Sequence, residues 1–416
     1  MMKSKYYIFL LLVLITPIIL NFGNEAIAEL YNPNNLIRAK PEYCSGTKKD
    51  GTKIDKWDFR KILQNHEEWV KTNGKNGEHA DLRGSNLNGF ILTSCDYIAA
   101  INGTEIELSR VFLSNSNLRK SSFASANLNE AKLWSSDLSF SHLYLTKLKG
   151  ADLSYAILTG AYLESADLTN ANLHHAQMKD ALLDNADLTG AIFEVQQNSL
   201  PYISSIATAR GLSKIKYNIS PASLFELREK FIKSGLSKQA LQITYAIKNV
   251  QYDQAMASSD AGAKIFALVN KIAFDWSCKW GLSPLRPLII VFCSIFFFAF
   301  IFYYKSINTK EKKDGIWKVW EVERVRKDLG GDEAELLNFK GWKCVRYSLH
   351  FSALSAFHVG WRDLNIGSWL SRLQLQEYSF RASGVIRLVS GIQSLLSVYM
   401  LVIWFLSTFS LWFQTH

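Results

Sequence analysis

Few side chains in this chain are spaced for chemistry. His174 and His175 are adjacent, Asp167 and Asp187 lie twenty residues apart, and the five thiols are Cys44, Cys95, Cys278, Cys293 and Cys344. A metal ion needs ligands that converge on one point, and no stacked column of histidines repeats at a regular interval, so His174 and His175 are read as facing solvent. Asp167 and Asp187 could hold a cation or cap turns, and capping is the reading adopted. Cys44 and Cys95 could pair in an oxidising compartment, although Cys95 also suits a small buried position. Cys293 falls in a long apolar run, and Cys278 and Cys344 have no metal-like spacing around them. The loop His358-Val359-Gly360-Trp361-Arg362-Asp363 is polar and sits between apolar stretches. No nucleophile elbow, phosphate loop or H-E-x-x-H pattern occurs. The expectation is a non-enzyme with no catalytic residue, no cofactor and no metal.

What must position these residues is a cadence of five. From about Ala80 to Phe193 a large apolar residue returns at Leu82, Leu87 and Leu92, and again from Leu113 through Leu118, Phe123, Leu128 and onward to Leu188 and Phe193. Ala or Ser stands two residues before most of these centres, as at Ala126, Ala131, Ser136 and Ala151. A period of five fits neither the 3.6 of a helix nor the 2 of a strand, so no ordinary element hides this set on one face. A short fixed period with alternating large and small inward positions marks a solenoid. Between Asp96 and Glu107 the cadence breaks and resumes offset by one residue, which reads as a loop thrown out of the stack.

The units ADLSY, AYLES, ADLTN, ANLHH and ADLTG resemble the pentapeptide-repeat family. The resemblance implies a right-handed, four-sided β-helix with four units per coil, Leu or Phe filling the interior and Ala or Ser tucked beneath. With a rise per coil of about 4.8 Å, Asp167 and Asp187 would then sit one above the other.

The flanks are read as follows. Lys3 and Lys5, an apolar run over 6–20 and Ala26-Ile27-Ala28 have the layout of a signal peptide over 1–28, with an uncleaved anchor as the alternative. Residues 29–79 hold a helix over 57–70, with Trp57, Ile62, Leu63 and Val70 on one face, capping the open end of the solenoid at 80–194. Residues 195–284 read as a helical spacer, with a hairpin from Pro221 and a third helix at about 264–279. Residues 285–416 form a membrane domain, with apolar stretches of spanning length at about 287–304 and 388–413. The net charge of +10 does not point to nucleic acid. The repeats carry 8 Lys and Arg against 12 Asp and Glu, and the excess of positive charge collects between the two spans. Such a loop prefers the cytoplasmic side, which agrees with export of the solenoid.

Between the spans, an apolar-sided segment at 344–357 too short to cross is followed by the loop at 358–363. Span, short helix, loop, span: this order resembles the pore module of two-transmembrane potassium channels over about 284–413. The resemblance implies a loop whose backbone carbonyls replace an ion's hydration shell, with four subunits around one axis. Val359, Gly360 and Asp363 match its T-V-G-Y-G-D and Trp361 replaces an aromatic. His358 removes the threonine hydroxyl, and Arg362 replaces a glycine that supplies positive φ at little cost. The expected architecture is thus β + α: a quadrilateral β-helix, a helical spacer and a two-helix membrane domain with a degenerate filter. The expected place is a bacterial inner membrane, with the solenoid on the periplasmic side. Two functions are carried forward: a homo-oligomeric module that conducts or senses ions, tetrameric if channel-like, and a scaffold tethered in the bilayer that docks an envelope protein.

Overall fold

The computed structural model describes residues 45–91, 106–308, 316–320, 334–336, 342–357 and 378–414. The expected signal peptide, Cys44, Cys95 and the loop at 358–363 lie outside the described residues. The chain divides into two compact units, Met1–Ile247 and Lys248–His416.

The first unit is a solenoid with a lid at each end. Parallel bridges link residues twenty apart, as in Lys132 to Asp152 to Asn172 to Ile192. With a centre every five residues, each coil has four faces. Leu133, Leu153 and Leu173 are stacked in the interior and wholly buried, with Ala131, Ala151 and Ala171 equally hidden beside them. The backbone groups pair along the stack: Leu153 N–H donates to Asn172 O at 2.9 Å and Asp152 N–H to Ala131 O at 2.9 Å. Where Ser takes the small inward position its hydroxyl turns back on the chain, as Ser136 Oγ does to Leu133 O at 2.7 Å. That contact meets the need of a buried hydroxyl for a partner.

Each corner turns through one residue with positive φ, between 54° and 62° at the non-glycine corners from Arg110 to Asn185. This conformation costs an L-residue about 1–2 kcal/mol. The corner N–H is repaid by the next coil, as Tyr155 N–H donates to His174 O at 2.8 Å.

The first coil is enlarged. Asp81, Asn86 and Ile91 pair with Phe112, Asn117 and Ser122, thirty-one residues on, where later coils take twenty. Eleven extra residues shift a five-residue cadence by one, which is the offset visible in the leucines.

The amino-terminal lid is a hairpin, β1 (Gly46–Thr47) with β2 (Lys53–Ile54), followed by helix α1 (Lys56–Lys71). Asp55 caps α1 by accepting from the N–H groups of Trp57 and Asp58 at 2.8 Å. The expected helix is present, but its packed face differs: Phe59, Leu63 and His66 are buried while Trp57 is 69% exposed. Phe59 meets Phe90 of the solenoid edge-on at 4.4 Å, so an i, i+4, i+7 stripe starting at Phe59 forms the lid.

His66 fastens that lid. Ala80 N–H donates to Nδ1 at 3.1 Å, so Nε2 carries the proton and donates to Ser109 O at 2.9 Å. Burial holds its pKa below the ordinary 6.5. The groups around it are His79, which opposes protonation, and Glu107, which favours it. Protonation at Nδ1 would eject the Ala80 N–H. Because the folded value is depressed, the unfolded chain takes up its proton first, and the lid is expected to lose stability as pH falls below about 6.5. The protection of the Ala80 amide, its exchange relative to the intrinsic rate at each pH, should fall across that window; unchanged protection would refute the latch.

At the other end the ladder runs past the expected boundary at 194. Asp187 pairs with Arg210 and Ile192 with Lys216, at spacings of 23 and 24 residues. A short helix α2 (Ile203–Ile206) bulges out within this last coil. Ile206, Leu212 and Ile215 fill the interior in place of the leucines. The hairpin of α3 (Ala222–Lys233) and α4 (Ser237–Ala257) follows, turning at Gly235 with φ 72°. Ser223 Oγ donates to Phe193 O at 2.9 Å, so α3 closes the core as α1 does at the start.

The second unit contains α5 (Ala261–Asn270), a π-helical turn over Lys271–Trp276, α6 (Arg286–Asn308), α7 (Trp342–Ala356) and α8 (Gly384–Gln414). Strands β3 (Ile316–Trp320), β4 (Ala334–Leu336) and β5 (Tyr378–Ala382) form an antiparallel sheet in the order β4-β3-β5. Sequence periodicity does not reveal these short strands. Phe298 and Phe302 of α6, Ile316 of β3, Phe351 of α7 and Ile386 of α8 make a shared core. Among the described residues, Arg286–Ile307 and Gly384–Thr408 are long and apolar enough to cross a membrane.

Candidate functional site

The corners and outward positions of the solenoid are the places where side chains are free to vary, because every inward position is committed to packing. Most corners with positive φ carry Gly, Asn, Ser or a charged residue, but Phe140, Leu145 and Tyr155 also adopt it. Bulky residues in this conformation are uncommon because their side chains crowd the backbone. All three are exposed, so interior packing does not account for them.

Around these corners the aromatic groups are ordered by the coil spacing. His142 lies flat on Tyr162, one coil away, with centroids 4.6 Å apart and planes 2° apart. Burial holds the His142 pKa below its ordinary value, so the ring is uncharged near neutrality. Phe140 covers Gly160, where a Cβ would come within 2.7 Å of the ring, and Arg119 lies over the same ring at 5.2 Å. Tyr144 and Leu145 follow at the next corner, both exposed. Across one intervening face, Tyr155 meets Trp134 at 6.3 Å and stacks on His175 at 5.2 Å. The result is a broad, partly aromatic surface on a rigid frame.

His175 is exposed as expected, but His174 is drawn inward. Its Nδ1 lies 2.6 Å from Glu194 Oε2, which sits one coil further on. The other oxygen of Glu194 accepts from the N–H groups of Asn218, Ile219 and Ser220 at 3.1, 2.6 and 2.7 Å. This carboxylate is a joint between the last coils and α3. A twenty-residue offset from His174 points to Glu194, a signal that only the coil length makes readable. Asp167 and Asp187 cap their turns, each accepting from the N–H two residues on, at Thr169 and Thr189, at 2.9 Å. Among the described residues no three His, Cys, Asp or Glu side chains gather as a metal would require.

In the second unit the segment expected at 344–357 is α7, packed against both long helices. Ser352 Oγ donates to Ile295 O of α6 at 2.7 Å, and Gln393 Nε2 of α8 donates to Ser352 O at 3.0 Å. Ser355 and Ser390 share a hydroxyl contact at 3.0 Å. Ser352 and Gln393 are fully buried, so one polar clasp joins three helices. Gln393→Leu is expected to cost about 0.5–1.5 kcal/mol, the net worth of an intramolecular hydrogen bond. The check is unfolding in detergent; stability equal to the parent would show that the clasp contributes nothing. The loop at 358–363, with His358, Val359, Gly360, Trp361, Arg362 and Asp363, and the candidate pair Cys44 and Cys95 fall outside the described residues.

Residues 106–143 and 146–185 match the family model for pentapeptide repeats, in 8 copies. That stretch is a run of pentapeptide repeats, and the match does not extend to the helical unit. Among solved structures the chain is similar to HetL, a pentapeptide repeat protein involved in heterocyst differentiation regulation from the cyanobacterium Nostoc sp. strain PCC 7120. The two share 27% identity over 32% of this chain and 54% of that one, with a TM-score of 0.24. This chain therefore spans about half of HetL. It is also similar to the pentapeptide repeat protein Rfr23 from the cyanobacterium Cyanothece 51142, with 26% identity over 34% and 90% of the two chains and a TM-score of 0.16. A pentapeptide repeat protein of the Arabidopsis thaliana thylakoid lumen shows 22% identity over 31% and 74%, with a TM-score of 0.16. No curated protein matches.

Proposed function

We propose that the solenoid is a docking scaffold for a protein partner, tethered to a membrane by α6 and α8. The observation that carries this reading is the placement of Phe140, Leu145 and Tyr155, exposed and apolar, at corners whose backbone favours glycine. Exposed apolar patches on a rigid surface are where partners bind. Membrane attachment is supported by the two long apolar helices. The sequence layout of an export signal and the basic connecting segment support a periplasmic place for the solenoid in a bacterial cell.

The test places a photoreactive phenylalanine at Tyr144 and, separately, at Asn170 on another corner. One discrete protein adduct is expected from position 144, none from 170, and its loss on adding Phe140→Asn and Tyr162→Ser. Equal labelling at both positions, or labelling indifferent to those changes, rejects the docking face.

A second reading, an oligomeric ion-conducting module, is favoured by one observation. The short helix α7 is clasped between the two long ones, α6 and α8. On this reading four copies would surround the loop at 358–363, and flux in liposomes should respond to Arg362→Gly and His358→Thr. A verified oligomer without conductance eliminates it. Topology reporters at residues 200 and 330 test the sidedness common to both.

A further inference from the structure

Helix α5 and the turn after it are built unlike the rest of the second unit. None of the residues of α5 is buried, although Ile265, Leu268, Val269, Ile272 and Trp276 recur at helical spacing and form one apolar stripe. Phe266 and Ile265 are 69% and 65% exposed. Lys264 and Lys271 lie along one edge of the stripe, and Lys271 Nζ rests 3.6 Å above the Tyr252 ring. A helix with one apolar face and flanking lysines is suited to lie in a membrane interface, ammonium groups toward phosphates and apolar groups toward acyl chains.

Two further observations hold the stripe at that depth. Tyr399 Oη of α8 donates to Ala273 O at 2.5 Å, and Ser277 and Cys278 are buried, so the far end of the segment is bound to the helical bundle. Arg286, the first residue of α6, follows Trp276 by only ten positions. The stripe therefore lies only a few residues along the chain from the apolar side chains Ile289, Phe292 and Phe296 of α6, which are also exposed. Trp276 and Trp280 stand where interfacial aromatics gather.

We infer that residues 261–276 form an amphipathic anchor lying in the plane of the bilayer, its occupant being the headgroup and upper acyl region of phospholipid. The inference rests on the reading that α6 and α8 cross that bilayer. The segment is then a second membrane contact of different kind from the spans.

The test uses the full-length protein in phosphatidylcholine vesicles with p-benzoylphenylalanine at one of three positions. Val269 reports the stripe, Ala267 the other side of the same helix, and Phe297 the lipid-facing side of α6. Lipid adducts are expected at positions 269 and 297, with the yield at 269 several-fold above that at 267. Adducts at 297 with none at 269 would overturn the anchor and leave the spans standing. A protein adduct at 269, to a second copy or another segment of the chain, would overturn it equally. Absence of lipid adducts at 297 would overturn the spanning reading and the anchor together.

Discussion

Leu153→Ala is expected to destabilise the solenoid by about 2–5 kcal/mol, the range for removing a buried leucine and leaving its cavity. Leu153 is wholly buried between Leu133 and Leu173 of the adjacent coils, with Ala151 beside it. The backbone ladder on both sides fixes the distance between coils, so the stack has little freedom to close the void. Leu153→Asp should prevent closure of the coil altogether, because a carboxylate there has no partner and no water. Each coil touches only its neighbours, so the loss should be local. Hydrogen exchange by mass spectrometry should show faster exchange in peptides around residues 133, 153 and 173, fading along the stack, with α6 and α8 unchanged. A cost below about 1 kcal/mol, or exchange that rises evenly over the unit, would contradict a close-packed one-dimensional core.

Glu194→Ala is expected to cost on the order of 3 kcal/mol, because the N–H groups of Asn218, Ile219 and Ser220 and the His174 ring lose their acceptor together, at about 0.5–1.5 kcal/mol net for each hydrogen bond. The carboxylate is 6% exposed. Burial pushes its pKa up, but the N–H groups of Ser220 and Ile219 and the His174 ring outweigh burial and hold it below the usual glutamate value of 4.5. With a depressed folded value, its contribution is complete above about pH 4.5 and declines as pH falls through the lower folded pKa. Glu194→Gln should remove that acid step while keeping one acceptor for the backbone. The measurement is the midpoint of thermal unfolding of the first unit across the acid range for parent, Gln and Ala forms. Parallel pH profiles in parent and Gln variant would show that the carboxylate is not the titrating group.

The solenoid was legible because its signal is redundant: each leucine repeats information carried by the leucines five and twenty residues away. The lid helix was legible as a helix, but Phe59 was missed as its anchor, since Trp57 and Val70 offer an equally regular stripe and only the neighbour Phe90 decides between them. The end of the solenoid was misplaced because the last coil takes 23 or 24 residues. The ladder tolerates that, whereas a cadence of five does not. Strand β3 is five residues long and pairs with partners about sixty residues away, a distance over which local pattern has nothing to say. Gln393 is a polar residue in an apolar helix, but that it clasps Ser352 depends on how three helices pack. The aromatic surface was hidden for a related reason: His142 and Tyr162 are neighbours only once the coil length is known.

The enlarged first winding has a consequence for how this solenoid tolerates change. Its bridged partners are thirty-one residues apart, eleven more than in the coils that follow, yet the bridges at Ile91 and Glu107 close as they do further along. Chain length and ladder alignment are thus uncoupled at that point. A guest sequence spliced there should fold independently of the host, whereas one spliced between Leu153 and Leu173 would have to break the wall to be accommodated.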